Sequence, residues 1–290
     1  MAEIDIPTNW GRWGADDQLG TLNLIDDAAR ARAASEVREG RHVSLARVTR
    51  PVSMTTGLSP VGSEAIMPAA VMQVVNFNGA TPLALTDSLF INTHNAGLTH
   101  LDAVAHMPVG GQVYPGVAVA NAVTPVGVHH GSADSFTGGI VTRGILLDLA
   151  PGSALDAKHR VSAADLDAAR ERAGVRVEPG DAVAVRGGWD TNQPISQPVP
   201  GLDLTAVGWL NDHAVSVYIG DIGDSRPPTF PLPMHQVALA RLGLPLVDAA
   251  NLDELGQVCA TLRRSSFMLV LAPPRITQTT GLAVNPIAIF

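Results

Sequence analysis

From residue 139 onward, apolar runs of strand length alternate with segments of helical period, and this alternation leaves few folds open. GIVTRGILLDLA (139–150) reads as a buried strand. SAADLDAARERAG (162–174) is the clearest helix: Ser162 suits the N-cap, Asp165 stands three residues on, and Gly174 ends it. DAVAVRGGW reads as a strand closing at Arg186–Trp189. LTAVGWLNDHA, VSVYIGDIG, MHQVALARLG and LPLVDAA then follow as helix, strand, helix and strand, with two late strands in FMLVLAPPRI and AVNPIAIF. The first half is looser. An irregular Gly- and Trp-rich arm over residues 1–25 leads into a helix capped by Asp26 and stopped at Gly40, then a strand over 42–48. Residues 50–70 form a long loop suited to a lid, VMQVVNFN and DSLFINTHN are strands, and 108–137 show little period. The expected class is α/β with mixed sheets in one domain over residues 1–290, not a clean doubly wound fold.

Composition removes several classes of function. The chain carries 27 acidic and 19 basic side chains, with Lys158 its only lysine and no basic cluster, so a nucleic-acid partner is not expected. No apolar stretch reaches the roughly 18 residues of a membrane span, and the N-terminus lacks a signal-peptide pattern, so a cytoplasmic location is expected. One cysteine, Cys259 in VCATL, precludes an intrachain disulfide and reads as a buried small hydrophobe. Nucleotide-binding glycine motifs and the G-x-S-x-G of serine hydrolases are absent.

THLDAVAHM (99–107) holds the densest set of metal-binding or proton-transfer side chains. His100 and Asp102 share a face only if the chain is extended there. Asp102 and His106, four apart, share a face only on a helix. A strand-to-helix junction would bring all three into one cleft. The alternative is structural: Thr99 and Asp102 fit a helix-start signal, which would leave His106 as an ordinary half-buried histidine.

The segment resembles the HxGTHxDxPxH motif of the cyclase family, which includes bacterial kynurenine formamidase and isatin hydrolase. Thr99, His100, Asp102 and His106 carry the match. NWGRWGADDQLGTLNLI, GIVTRGILLDL, VEPGDAVAVRGGW and LAPPRITQTTGLAVNPIAIF extend the resemblance along the chain, toward the family's longer bacterial and fungal branch. It implies a swivelling β/β/α fold and a homodimer or homotetramer, with the N-terminal arm in subunit contacts. It also implies a divalent metal, zinc or manganese, held by His100 and Asp102, with His106 as the acid/base. The family's first histidine falls on Ala96, so one ligand is missing, and His94 is the candidate substitute or a hydrogen-bonding group. His235 and Asp248 match the later ligands, with Asp in place of the family's Glu or Gln.

Fainter candidates are Asp221 and Asp224 just past a strand, where a turn role competes with a site role. Arg186 would bind a substrate carboxylate or tie two strands together. Trp13 and Trp189 would line an aromatic pocket or pack in the core. Three functions follow: a metal-dependent hydrolase of a small amide, lactam or lactone; a cyclase or dehydratase, metal-free or metal-assisted, acting on a natural-product intermediate; or a binding protein with a dead site. In each the partner is a small molecule, not a nucleic acid or a membrane.

Overall fold

A computed structural model describes residues 6–53, 69–79, 81, 83–190, 198–226 and 232–290. Most of the expected lid, 54–68, and most of the loop after Asp190 lie outside the described residues. The centre is a nine-stranded mixed sheet. Its strands, in chain order, are β1 (His42–Ser44), β2 (His100–Asp102), β3 (Ile140–Asp148), β4 (Ala182–Arg186), β5 (Val217–Gly220), β6 (Leu246–Asp248), β7 (Ser266–Leu271), β8 (Gly281–Ala283) and β9 (Ile287–Ile289). Across the sheet they run β1-β9-β7-β3-β4-β5-β6-β2-β8. The four from β3 to β6 are parallel, and antiparallel pairs flank them on both sides. This is the expected mixed α/β class.

Alternation along β3 and β4 explains why the sheet is covered on both faces. Ile145, Leu147, Val183 and Val185 point to one side, where they meet Leu166 of α2 (Ala163–Ala173), Val207 and Leu210 of α3 (Leu204–Asp212), and Val237 of α4 (His235–Leu242). Leu146, Ala182 and Ala184 point to the other, against Phe267, Phe290 and the Leu255–Val258–Cys259 face of α5 (Asp253–Leu262). Parallel strands buried on both faces need such near-continuous apolar runs. α1 (Asp27–Ala34) completes the helices of eight or more residues among the described residues.

Local signals set most boundaries. Ser162 and Asp165 form a capping box on α2, and Gly174 ends it at φ 62°. Asp26 accepts the Ala29 N–H at 2.7 Å to start α1. That helix stops at Ala34, short of the expected Gly40, and the Glu39 and Gly40 amides donate instead to the carbonyl of Phe290. β1 ends at Ser44, short of the expected 48, since the next amide, Leu45, bonds the Pro286 carbonyl outside the strand ladder. α5 has no counterpart among the expected elements. The arm, described from residue 6, lies along its own chain: Trp10 Nε1 donates to Ala240 O at 2.8 Å and Asn9 Nδ2 to Leu242 O at 3.0 Å. Among the described residues no helix is long and apolar enough to cross a membrane.

Candidate active site

β2 is sandwiched between β6 and β8, and its register assembles the site. His100 pairs with Asp248 and Ala283, and Asp102 pairs with Leu246 and Gly281. The chain is extended over 100–102, so His100 and Asp102 share a face, and cross-strand pairing sets Asp248 beside His100. The expected helix after Asp102 does not form. His106 N–H returns to Ala103 O in a turn, while the amides of Ala103 and Ala105 bond Thr280 O and Gly131 O. Thr99 is not a helix cap either: its hydroxyl donates to Ala249 O at 2.7 Å and accepts the Arg47 N–H at 2.9 Å.

Hydrogen bonds fix three imidazoles. His100 Nδ1–H donates to Leu98 O at 2.8 Å, and its Nε2 lies 3.4 Å from Asp102 Oδ1. His94 Nδ1–H donates to Asp102 Oδ1 at 2.8 Å, and its Nε2 lies 2.9 Å from the hydroxyl of Thr280, from which it accepts. Both ring nitrogens of His94 therefore stand within hydrogen-bond distance of a partner. His94 also needs Gly281: a Cβ there would come within 2.7 Å of the ring.

His235 begins α4 with its Nδ1 on the Asp224 carboxylate, and its Nε2 is 3.0 Å from Asp248 Oδ2 and 3.3 Å from Asp102 Oδ2. Burial disfavours a charged imidazole there, but Asp248, Asp102 and Asp224 outweigh it and hold the His235 pKa well above the ordinary histidine value. Asp102 is completely buried. Burial alone would raise its pKa; the imidazoles of His235, His94, His100 and His106 overcome that and hold it far below the usual carboxylate range. His106 stacks on His94, with ring centroids 3.5 Å apart. Burial pushes His106 down to about 4 against the pull of Asp102, with the other histidines adding to the fall, so the ring is neutral at pH 7.

His94, His100, His106, His235 and Asp248 floor a cavity of about 240 Å³ walled by Trp189, Val199, Pro200, Ile222 and Leu232, and the fully buried Asp102 is not among its lining residues. Ala96 also lines it. Trp189 is thus placed at the cavity, whereas Trp13 is not: it packs beside the core under the guanidinium of Arg12. Arg186 is also elsewhere. It binds Asp148 at 3.0 Å, Ala150 O at 2.6 Å and Asp253 at 2.8 Å, which ties β3 and β4 to α5. Cys259 is buried, its thiol pushed up to about 12 by that burial. Asp221 lines the cavity and accepts the amides of Gly187 and Gly188, while Asp224 orients His235. Both stand past β5 where a site role was one option, but Thr280 carried no signal, because a threonine in ITQTTG is ordinary until its partner is known.

The donor set fits a divalent cation. Ligating atoms of His100, Asp102 and Asp248 lie within 4.8 Å of one another, and Asp248 Oδ1 is buried without a hydrogen-bond partner. A buried carboxylate oxygen is rarely left so. His94, Asp102 and His106 form a second such group. Nitrogen and oxygen ligands together suit zinc, manganese and their neighbours.

Residues 29–224 match the family described as “Putative cyclase”. The chain belongs to that family. No curated protein matches it. Among solved structures, a novel cyclase is 25% identical with a TM-score of 0.84, over 98% of this chain and 100% of its own. Isatin hydrolase A from Labrenzia aggregata, bound to benzyl benzoate, is 20% identical with a TM-score of 0.63, over 88% and 94%. The predicted metal-dependent hydrolase from Bacillus stearothermophilus is 14% identical with a TM-score of 0.51, over 86% and 97%. The last two likenesses are of fold, and this cyclase-family chain shares their mixed α/β architecture.

Proposed function

We propose that this cyclase-family protein is a metal-dependent hydrolase of a small amide, lactam or lactone. The observation that carries this is the meeting of His100, His235 and Asp248 at the cavity with the fully buried Asp102, where Asp248 Oδ1 is buried without a hydrogen-bond partner. Those four residues would hold zinc or manganese. When bound, such an ion polarises a carbonyl and lowers the pKa of water toward about 7. The chain's own groups supply the rest. His106 lines the cavity beside these groups and would take the proton of the attacking water and deliver it to the departing nitrogen or oxygen as the C–N or C–O bond breaks. The His94 stack and its hydrogen bonds to Asp102 and Thr280 hold one side of that ring. Trp189 and Ile222 offer the substrate an apolar wall.

One observation favours a second reading. Ala96 lines the cavity at the motif position of the family's first histidine, so one ligand is lost. A site with weakened metal binding could keep His100, Asp102 and His106 for acid/base cyclisation or dehydration. Elemental mass spectrometry of the purified protein and of Asp102→Ala separates the two. Near-stoichiometric zinc or manganese, lost in the variant, together with turnover of an N-formyl amide, lactam or lactone, is the expected result. A wild type that takes up neither metal on dialysis would overturn the hydrolase reading.

A further inference from the structure

The pairing of β3 with β7 ends at Ile145 and Ser266, while β3 runs on to Asp148 against β4 alone. Leu146 N–H donates to Ser265 O at 2.8 Å, just ahead of β7. The last turns of α2 and α5 flank the notch this leaves, and a cavity of about 400 Å³ lies between them. It shares no lining residue with the active-site cavity.

Floor and rim differ in chemistry. Leu146, Ala169 and Cys259 are buried beneath the cavity, and Pro151, Ala173 and Ala260 extend its apolar lining. The charged lining groups are Asp148, Arg172, Arg263 and Arg264. Asp148 is already held, by Arg186 Nη1 at 3.0 Å and by the Ala150 N–H at 2.9 Å. Arg264 donates to Glu36 O and Ser266 O, and its guanidinium lies over the Phe290 ring. Arg172 donates once, to Asp148 O at 3.1 Å, and joins no ion pair among the described residues. The Arg263 side chain makes neither a hydrogen bond nor an ion pair among the described residues.

Cations near a helix C-terminus commonly serve the carbonyls left unpaired there. Here backbone amides fill that role. Gly174 and Val175 donate to Glu171 O and Arg170 O, and Arg263 and Arg264 donate to Ala260 O and Cys259 O. Arg263 also stands in left-handed backbone, at φ 51° and ψ 42°, where glycine is the usual residue. A side chain there carries a steric cost that glycine avoids, so what arginine adds at this position is its guanidinium.

Unused guanidinium donors above an apolar floor define a complement. The planar fork matches a carboxylate through paired N–H···O bonds, and the floor takes a compact hydrocarbon or aromatic body. The chain's formal charge of -8 opposes anion capture in general, so binding here depends on the local balance of three guanidinium groups against one carboxylate. We propose that this notch is a second binding site, one that takes a small organic carboxylate with an apolar body.

Benzoate is the probe, titrated calorimetrically into the full chain. Arg172→Gln/Arg263→Gly removes both free forks; glycine suits the backbone at 263, and glutamine is as good a helix former as arginine. This variant should lose one benzoate site or bind there at least about 10-fold more weakly. A His100→Ala/His235→Ala variant should keep that site, which separates it from the active-site cavity. Benzamide, without the charge, and inorganic phosphate, without the apolar body, should each bind at least about 10-fold more weakly than benzoate. No saturable binding at millimolar benzoate, wild-type binding by the arginine variant, or loss confined to the histidine variant overturns the proposal. So does phosphate or benzamide binding as tightly as benzoate. Hydrogen exchange on the wild type needs no variant: amides of residues 260–265 should exchange more slowly with benzoate than with benzamide, and equal exchange counts against the site.

Discussion

The Asp224 carboxylate accepts a hydrogen bond from His235 Nδ1–H, and the opposite ring nitrogen faces Asp248 and Asp102 at 3.0 and 3.3 Å. Fixing one nitrogen of an imidazole decides what the other presents, and a carboxylate behind a ligating histidine also raises its basicity. Asp224 also accepts the backbone amide of His235 and so holds the start of α4. Asp224→Ala should lower affinity for zinc or manganese by about 10- to 100-fold. Competition against a chelator of known affinity measures this, and unchanged affinity would remove Asp224 from the site.

His106 offers a separable test, since His94 and not a carboxylate packs on its ring. His106→Gln should cut kcat by about 10²- to 10⁴-fold while bound metal stays at the wild-type level. Steady-state kinetics alongside elemental analysis distinguishes this from a ligand role, in which metal and activity fall together.

The parts of the site legible in the sequence are those set by local geometry. His100 and Asp102 share a face because two residues in an extended chain must. Asp248 beside His100 depends on β6 pairing with β2 across more than a hundred residues, which no local pattern encodes. The helix expected after Asp102 fails for a related reason: Thr280 O and Gly131 O take the Ala103 and Ala105 amides, so distant segments satisfy backbone groups that a helix would otherwise use. α2 was fully legible since its cap, capping box and terminal glycine lie within thirteen consecutive residues. Asp224 resembles a turn aspartate because its partner stands eleven positions away.

Gly281 stands opposite Asp102 on β8, and its missing side chain makes room for His94. A methyl group there would meet His94 Cε1 at 2.7 Å and Leu101 O at 2.8 Å, and the backbone oxygen cannot easily move. Gly281→Ala should therefore displace His94 and cost about 1–3 kcal/mol. Urea unfolding gives the stability, and the ring proton shifts of His94 and His106 should move together because the rings stack.

Arg186 ties strands to a helix, and its substitution should act on stability and not on substrate binding. Its planar fork reaches Asp148, Ala150 O and Asp253 at once, an arrangement a lysine ammonium cannot reproduce. Arg186→Lys is expected to cost about 1–3 kcal/mol in urea unfolding. KM should stay near the wild-type value; a KM that rises with unchanged stability would instead place Arg186 on the substrate.

Asp221 sets a pH dependence with a definite sign. Burial raises its pKa from 3.8 to about 6, although the amides of Gly187 and Gly188 partly offset this and Arg186 adds to that offset. The folded protein thus holds this proton more tightly than the unfolded chain does. Its contribution to stability is complete below about pH 4 and is lost as pH rises through about 6, by at most about 3 kcal/mol. Asp221→Asn has no such titration, though it loses part of the bonding to Gly187 and Gly188. The wild type should therefore be most favoured over the variant near pH 4, with the difference shrinking up to about pH 6 and flat above it. Urea unfolding of both proteins from about pH 4 to 7.5 reads this directly. A constant difference would mean that the carboxyl is already ionised in the folded state at the acid end.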